Sequence, residues 1–236
     1  MKKILSILPK IELWYGDSLL LMGDIVENFV DLIITDPPYN LKRFQYNDNL
    51  IEEKFKTFST SWLNECYRVL KPNHLLFFTF WSDGMYEMYQ IIKRTQFNFV
   101  QTLIWYYPNI SGFKAKPLYI RTFDPIFVLS KSKPRKLSLQ KGISSNDCWN
   151  MLKICKPQSN YKIDKLIHPT QKPLELFSRI ITENSDEGNL ILDPFAGAFT
   201  TGKACLELKR SCIGIEMDKH FYCDGIRRIK YDHSFN

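Results

Sequence analysis

Short apolar runs rich in β-branched and aromatic residues recur along the chain and are separated by polar turns. Runs of this kind are typical of strands buried on both faces of a sheet. They predict strands at residues 11–15, 31–35, 74–81, 98–107, 122–130, 190–192 and 211–215. Helical spacing of apolar positions predicts helices at residues 18–22, 51–70, 82–95, 174–184, 200–208 and from 218 onward. At 236 residues, the chain has the length of one α/β domain with a substantial core.

The strand predicted at residues 31–35 ends abruptly at Asp36-Pro37-Pro38-Tyr39. Proline has no backbone N–H, and it restricts the residue before it to extended geometry. We therefore expect a rigid corner at the carboxyl end of this strand. The corner would present a carboxylate, bare carbonyl groups and an aromatic ring.

This corner suits the handling of an exocyclic amino group on a nucleobase, whose nitrogen lone pair is delocalised into the ring. Asp36 and the Pro37 carbonyl can each accept one N–H bond from that nitrogen, which would free the lone pair for attack. Tyr39 can stack on the base, provided that the base has left the duplex. An isolated Asp-Pro-Pro more often marks an ordinary strand-ending turn with a solvated acid, so the rest of the chain has to decide between the two readings.

A second strand end in the last third of the chain has the features of a ligand crevice. The strand at residues 190–192 runs into Asp193-Pro194 and then into a turn of small residues that opens a helix near Thr200. Gly197 allows the backbone to approach a ligand, and the helix start offers free N–H groups to an anionic group. Glu216 follows Gly197 by 19 residues, close to the offset of about 20 residues at which an acid meets ribose hydroxyls in dinucleotide folds. The unit indicates a site for an adenosine-bearing ligand, although it lacks the glycine run of an NAD site.

The first predicted strand also ends at an acid, in Gly16-Asp17. Asp17 has the residue type and position of an N-cap for the helix at residues 18–22. A carboxylate at a strand end in a ligand crevice is the functional alternative, and the residues alone leave both readings open.

Composition adds little to the functional argument. The formal charge of +7 favours a polyanionic partner only weakly. The N-terminus begins like a signal peptide but has too short an apolar core, and nothing in the chain approaches a membrane span, so we expect a cytoplasmic protein. The cysteines have no C-x-x-C pair and no zinc-like spacing, so we expect reduced core residues and no metal site. They are Cys66, Cys148, Cys155, Cys205, Cys212 and Cys223.

Two polar segments lack a clear period. Residues 41–50 could close over a base or touch phosphate, and a surface loop is the equal alternative. Residues 131–166 look like a short insertion or a DNA-facing arm, and a solvated loop is again the alternative. Basic side chains on phosphates would give salt-dependent affinity without sequence choice. The basic cluster of this segment consists of Lys131, Lys133, Arg135, Lys136 and Lys141.

Taken together, these motifs resemble the β class of DNA amino-methyltransferases, and the resemblance covers nearly the whole chain. Asp36-Pro37-Pro38-Tyr39 is similar to the catalytic motif of that family, and Asp193-Pro194-Phe195-Ala196-Gly197-Ala198 is similar to its S-adenosylmethionine motif. The catalytic motif comes first in the chain, which is the permuted order that defines the class. The segment His168-Pro169-Thr170-Gln171-Lys172-Pro173 is similar to the family's cofactor-side segment. Ile213-Gly214-Ile215-Glu216 resembles the ribose-binding strand end, and Gly16-Asp17 resembles the position near the adenine.

The resemblance implies a Rossmann-like class I methyltransferase with a mixed, mostly parallel seven-stranded sheet and helices on both faces. It implies a single domain over residues 1–236, with residues 131–166 as a short target-recognition region, and it places the strands ending at Asp36 and Asp193 side by side. It assigns catalysis to Asp36, Pro37, Pro38 and Tyr39. It assigns S-adenosylmethionine binding to Asp17, His168, Thr170, Lys172, Asp193, Phe195, Ala196, Gly197, Thr200, Thr201 and Glu216.

The activity implied by the resemblance is methylation of the N6 amine of a flipped adenine in double-stranded DNA. The acid at position 36 favours adenine, because members that methylate cytosine N4 more often carry serine there. Cytosine-N4 methylation, and amino-methylation of RNA or protein, remain alternatives. A homodimer and a cognate restriction endonuclease are further partners that the resemblance allows.

Three residues bear on how far the resemblance extends. Phe199 replaces the family's usual glycine, so it could tighten the cofactor pocket or weaken cofactor binding. It therefore raises the alternative of a DNA-binding protein that has lost the cofactor. Asp124 stands where a glutamate is common. Trp105 is either a second stacking partner for the base or a core residue.

Overall fold

The computed structural model describes residues 1–7, 9–41, 50–109, 119–133, 146–153 and 171–231, and its strands form one sheet of nine. The strands are β1 (Lys2–Ile7), β2 (Lys10–Tyr15), β3 (Val30–Thr35), β4 (Leu70–Thr79), β5 (Asn98–Tyr106), β6 (Phe123–Ser130), β7 (Cys148–Asn150), β8 (Leu190–Asp193) and β9 (Ser211–Glu216). The α-helices are α1 (Ser18–Met22), α2 (Glu52–Val69), α3 (Met85–Ile92), α4 (Leu174–Asn184), α5 (Thr200–Glu207) and α6 (Lys219–Tyr231). A 3-10 turn, Ser82–Gly84, leads into α3.

The sheet is mixed and mostly parallel, as predicted. Its strand order is β1-β2-β9-β8-β3-β4-β6-β5-β7. The pairs β2–β9, β9–β8, β8–β3, β3–β4 and β5–β7 are parallel, whereas β1–β2, β4–β6 and β6–β5 are antiparallel. The predicted count of seven strands is corrected to nine among the described residues. The seven strands from β2 to β5 form the expected sheet, and β1 and β7 extend its two edges.

Alternation along the strands divides the core between the two faces of the sheet. In β3, Leu32 and Ile34 join the cluster that packs against α4, α5 and α6, whereas Ile33 joins the cluster beneath α1, α2 and α3. All three side chains are buried. Burying an apolar side chain of this size contributes about 1.5–3 kcal/mol, so a strand covered on both faces is held firmly in place. The helices therefore lie on both faces, as the resemblance implied.

The strands that end at the two acidic motifs are direct neighbours. In the parallel pair β3–β8, Leu32 lies opposite Ile191 and Ile33 lies opposite Leu192. The chain leaves this pair in opposite directions, toward β4 on one side and toward β9 on the other. Ligands of open α/β sheets gather at the carboxyl ends of strands at such a switch point. The predicted adjacency is confirmed, although residues 36 and 193 are far apart in sequence.

Two further findings concern the composition. Among the described cysteines all are free thiols, and Cys66, Cys205 and Cys212 are buried core residues while Cys148 is exposed. None of the described helices combines the length and the apolar character that crossing a bilayer would require.

Candidate active site

The carboxylate of Asp36 lies at the tip of β3, and three side chains hold it. Its Oδ1 accepts hydrogen bonds from the hydroxyls of Tyr39 and Thr79. Its Oδ2 lies 2.6 Å from the Nζ of Lys172. The side chain keeps 19% of its surface exposed, so the acid faces the crevice and is not locked into the core.

Tyr39 supports the acid as well as facing the crevice. Its hydroxyl lies 3.0 Å from Thr79 Oγ1, and its ring meets the edge of Phe80 with 5.0 Å between the centroids. Burial raises the pKa of Tyr39 well above its usual value, and the Asp36 and Asp124 carboxylates add to the rise. The phenol therefore stays protonated and donates to Asp36. Stacking of the Tyr39 ring on a base stays a prediction.

Lys172 pairs with the acid at the tip of β3. Its assignment to cofactor binding stays a prediction, and its buried ammonium contacts Asp36 and stands 5.3 Å from the centroid of the Tyr39 ring. Its backbone does face the cofactor loop, because its carbonyl accepts a 3.5 Å hydrogen bond from Thr200 Oγ1. His168 and Thr170 fall outside the described residues.

Asp193 lies beneath the crevice and joins the two strand ends. Its Oδ1 accepts hydrogen bonds from Thr35 Oγ1 at 2.7 Å and from the Phe195 backbone N–H at 3.2 Å. Its Oδ2 accepts from Thr201 Oγ1 at 2.5 Å. Burial raises the pKa of Asp193 to about 6 against the lowering effect of these bonds. With 2% of its surface exposed, Asp193 holds the turn after β8 in place from inside the fold.

Glu216 closes the turn that contains Gly197. Its Oε2 accepts the Gly197 backbone N–H at 2.8 Å, and its Oε1 accepts the Asp218 backbone N–H at 2.7 Å. Gly197 has a φ of 52°, the left-handed conformation that glycine adopts without strain. Burial raises the pKa of Glu216 to about 7, which the two N–H bonds only partly offset.

Asp17 has the capping role that its sequence position allowed. Its Oδ1 accepts the N–H groups of Leu19 and Leu20 at 2.9 and 3.1 Å. The neighbouring Ser18 donates to the Pro194 carbonyl, so the start of α1 is fixed to the cofactor loop. Gly16 bonds the Glu216 carbonyl through its N–H at 3.0 Å, which brings Asp17 to the edge where Glu216 lies.

Phe199 points away from the crevice, contrary to the concern that the sequence raised. It caps α5 in the left-handed conformation, with φ 56° and ψ 43°. Its ring is fully buried against the backbones of Gly202 and Gly214, where an added Cβ would collide with it. Gly225 of α6 lies against its Cβ. Gly202 and Gly214 make room for the ring and Gly225 makes room for the Phe199 Cβ, so Phe199 is a core residue.

A second buried acid lies at the same edge of the sheet as the catalytic corner. Asp124, at the start of β6, has Lys153 Nζ at 3.3 Å and Arg121 Nε at 3.8 Å. Trp105 lies opposite Asp124 in the sheet and is completely buried, with its indole N–H on the Met151 carbonyl at 2.9 Å. Trp105 is therefore a core residue rather than a stacking partner.

The described residues fit an adenosine-bearing cofactor with a positively charged reactive centre. Carboxylates accept hydrogen bonds from ribose hydroxyls, and Glu216 lies half-buried beside the Cβ-free backbone of Gly197. Asp17 shares that edge through Gly16. The adjacent tip of β3 carries Asp36, whose negative charge suits a neighbouring sulfonium. Metal-ligating groups of three or more His, Cys, Asp or Glu side chains are not found in the described part of the chain.

Several residues of the site were not found from the sequence. Thr35 binds Asp193 and Thr79 binds Asp36, but a threonine at a strand end has no distinguishing pattern. Arg228 of α6 is buried and donates to the Ala198 carbonyl at 3.3 Å and to Thr200 Oγ1 at 2.8 Å. The position of Arg228 on the apolar face of α6 was the one feature of the sequence that could have indicated its buried role.

A mixed α/β sheet with an acid–proline corner beside an adenosine-type crevice is typical of the class of nucleobase amino-methyltransferases. The chain belongs to the family described as DNA methylase (N6_N4_Mtase), whose sequence model matches residues 30–227.

The comparisons with individual proteins agree with this family. The Type II methyltransferase M.HpaI of Haemophilus parainfluenzae is 32% identical over 242 residues, which cover 94% of this chain and 74% of that protein. The DNA adenine methyltransferase YhdJ of Escherichia coli K12 is 32% identical over 250 residues, covering 91% and 81%.

Solved structures share the fold. The M1.HpyAVI–SAM complex superposes with a TM-score of 0.74 at 23% identity, covering 93% of this chain and 98% of that one. The cytosine-N4-specific PvuII DNA methyltransferase superposes with a TM-score of 0.75 at 19% identity, covering 94% and 86%.

Proposed function

We propose that this DNA methylase transfers a methyl group from S-adenosylmethionine to the N6 amine of an adenine flipped out of double-stranded DNA. The observation that carries the proposal is the Asp36 carboxylate, exposed at the tip of β3 directly beside the cofactor strand β8. The choice of adenine is supported by the acid at position 36 and by relatives such as YhdJ, which is named a DNA adenine methyltransferase.

The chain's own groups would act mainly by positioning the amine. Asp36 and the Pro37 carbonyl accept its two N–H bonds, which draws the nitrogen toward a tetrahedral shape and exposes its lone pair. Pro38 keeps the corner rigid, and the protonated Tyr39 fixes the Asp36 carboxylate. Transfer of the methyl group would break the donor's carbon–sulfur bond, leave a neutral thioether and place a positive charge on the nitrogen. Asp36 would stabilise that charge until the nitrogen loses a proton to solvent.

The cofactor would lie across the tips of β8, β9 and β2. Glu216 would receive the ribose hydroxyls, Asp17 would lie near the adenine, and the turn from Phe195 through Ala196 to Gly197 would line the methionine side. Asp193, Thr200 and Thr201 would hold that turn in shape from below. When bound, S-adenosylmethionine supplies an electrophilic methyl group on a positively charged sulfur.

Replacement of the catalytic acid tests the proposal directly. We expect Asp36→Ala to reduce label transfer to unmethylated genomic DNA by more than about 100-fold, because the amine loses its acceptor. S-adenosylmethionine binding, measured by calorimetry, should stay near the wild-type value because Asp36 does not hold the cofactor. Turnover retained in this variant would refute the assigned role.

The same assay separates the alternatives. Digesting the labelled DNA to nucleosides and weighing the product distinguishes N6-methyladenine from N4-methylcytosine, and parallel reactions with RNA and protein test those substrates. Absence of cofactor binding at millimolar concentration would favour a DNA-binding protein without activity. The Phe199 ring, buried among glycines, gives no support to that alternative.

The target-recognition role of residues 131–166, a homodimer, a cognate restriction endonuclease and a cytoplasmic location stay proposals. A restriction partner is supported by relatives named Type II methyltransferases. Much of the recognition segment lies outside the described residues. Methylation-sensitive sequencing of DNA from cells that express this chain would identify the recognition site.

A further inference from the structure

Lys172 lies beside the proposed catalytic acid, Asp36. Its ammonium lies 2.6 Å from Asp36 Oδ2, and its side chain is only 6% exposed. Removing a lysine from water to this extent is costly unless a carboxylate pairs with it. The next residue, Pro173, is the N-cap of α4. The backbone of Lys172 is therefore held in place by the start of this helix.

The contacts of Asp36 leave one defined acceptor position. Each carboxylate oxygen has two lone pairs. On Oδ1 both are used, by the hydroxyls of Tyr39 and Thr79. On Oδ2 Lys172 uses one, and the second remains for an N–H of the incoming amine.

We propose that Lys172 is a positioning residue for Asp36: it fixes the carboxylate so that Oδ2 receives the base amine in one orientation. The inference rests on the proposed amino-methyl transfer and deepens it. Lys172 acts through Asp36 and does not touch the reacting atoms. Without the ammonium, only the hydrogen bonds of Tyr39 and Thr79 to Oδ1 restrain the carboxylate among the described residues. Oδ2 can then move away from the defined acceptor position.

The chain supplies a matched control for the loss of a lysine–aspartate pair. At the opposite end of β3, Lys71 Nζ lies 2.6 Å from Asp31 Oδ1. This second pair joins the same strand through the same chemical groups at the same distance, but it lies away from the crevice. Lys71→Met therefore measures what breaking such a pair does to the fold alone.

The experiment compares the wild type, Lys172→Met, Lys172→Arg and Lys71→Met in single-turnover methylation of unmethylated genomic DNA. We expect Lys172→Met to slow transfer at saturating cofactor and DNA by about 100-fold, the size of a small misplacement of a reacting group. Its dissociation constant for S-adenosylmethionine should change by less than about threefold, since Lys172 would not be a cofactor ligand. Lys172→Arg should recover part of the rate, and Lys71→Met should methylate at the wild-type rate.

Two results would overturn the inference. One is a transfer rate for Lys172→Met within about threefold of the wild type. The other is weakened cofactor binding that accounts for the whole loss, with the rate restored by more cofactor, which would make Lys172 a cofactor ligand. If Lys172→Met does not fold, Lys172→Gln is judged by the same two criteria. A wild-type protein that transfers no label would remove the proposed function itself, and this inference with it.

Discussion

At the scale of single residues, Phe199 shows how a chain accommodates a departure from its family's pattern. A left-handed conformation is costly for a residue with a Cβ, by roughly 1–2 kcal/mol. The buried ring more than offsets this cost, since loss of a core phenylalanine costs about 3–5 kcal/mol. The space for the ring exists only because positions 202 and 214 are glycines.

Gly202 provides a test in which the sign of the effect is informative. Glycine to alanine inside a helix normally stabilises a protein by roughly 0.5–1 kcal/mol. Here we expect Gly202→Ala to destabilise by about 1–3 kcal/mol, because its Cβ would collide with the confined Phe199 ring. Urea unfolding measures the free-energy change.

The control is the same substitution in a Phe199→Ala background. With the ring removed, Gly202→Ala should become neutral or stabilising. Destabilisation of equal size in both backgrounds would mean that the ring and Gly202 do not compete for space.

At the scale of secondary-structure elements, two basic side chains bind the carbonyl groups at helix ends. Arg68, near the end of α2, donates to the Met22 and Ile25 carbonyls at 2.7 and 2.8 Å, and so caps α1. Lys131 belongs to the basic cluster for which the sequence left open a DNA-facing arm and a solvated loop. Its ammonium lies 2.6 Å from the Tyr67 carbonyl and 3.2 Å from that of Arg68, in the last turn of α2. Burial lowers the pKa of Lys131 from its usual value.

Removing the Lys131 cap should therefore affect stability rather than DNA affinity. We expect Lys131→Met to lower the free energy of unfolding by about 1–2 kcal/mol, because a helix C-terminus loses its cation and its hydrogen bonds. Chemical denaturation checks this value. The salt dependence of DNA binding should match that of the wild type.

The exposed Lys133 is the natural comparison, since Lys133→Met removes the same charge two residues away without a cap. A drop of about one in the slope of log affinity against log salt for Lys131→Met would assign this lysine to a phosphate after all.

At the scale of the whole molecule, the sheet brings together segments that are distant in the chain. Helices α1 and α4 have the predicted bounds, and the strand ends at Asp36, Asp193 and Glu216 are where the apolar runs placed them. These features depend on the local pattern of apolar and polar residues, which can be read directly from the sequence. Strands β1 and β7 were missed, because edge strands of few or half-exposed residues carry little apolar pattern.

The contacts within the site could be predicted less well than the elements. The resemblance identified Asp36, and adjacency of β3 and β8 followed from it. The bond of Lys172 to Asp36 and the burial of Asp193 between Thr35 and Thr201 arise from tertiary packing. No residue spacing encodes which side of a crevice a flexible lysine will reach.

Burial of Asp193 makes the stability of the whole fold depend on pH. Its pKa is raised from 3.8 to about 6 in the folded protein, so the folded state binds its proton more tightly than the unfolded chain. Stability from this group is present at low pH and is lost as the pH rises through about 6. Between about pH 5 and about pH 8 the loss should be about 1 kcal/mol.

We expect Asp193→Asn to remove this part of the pH dependence, because the amide cannot ionise. The measurement is urea unfolding of both proteins at the two pH values. Asp83→Asn, at an exposed site, should leave the dependence unchanged. Equal slopes for the wild type and Asp193→Asn would show that Asp193 does not titrate in this range.

The packing of the Phe199 ring against Gly202 and Gly214 also limits how this enzyme can be engineered. A designer who restored the family's glycine at position 199 would open a void the size of a benzyl group inside the fold. Refilling it would require larger residues at positions 202 and 214 at the same time, on α5 and β9. Consensus substitutions or loop grafts at this turn should therefore preserve stability as a set of three and lower it when made one by one.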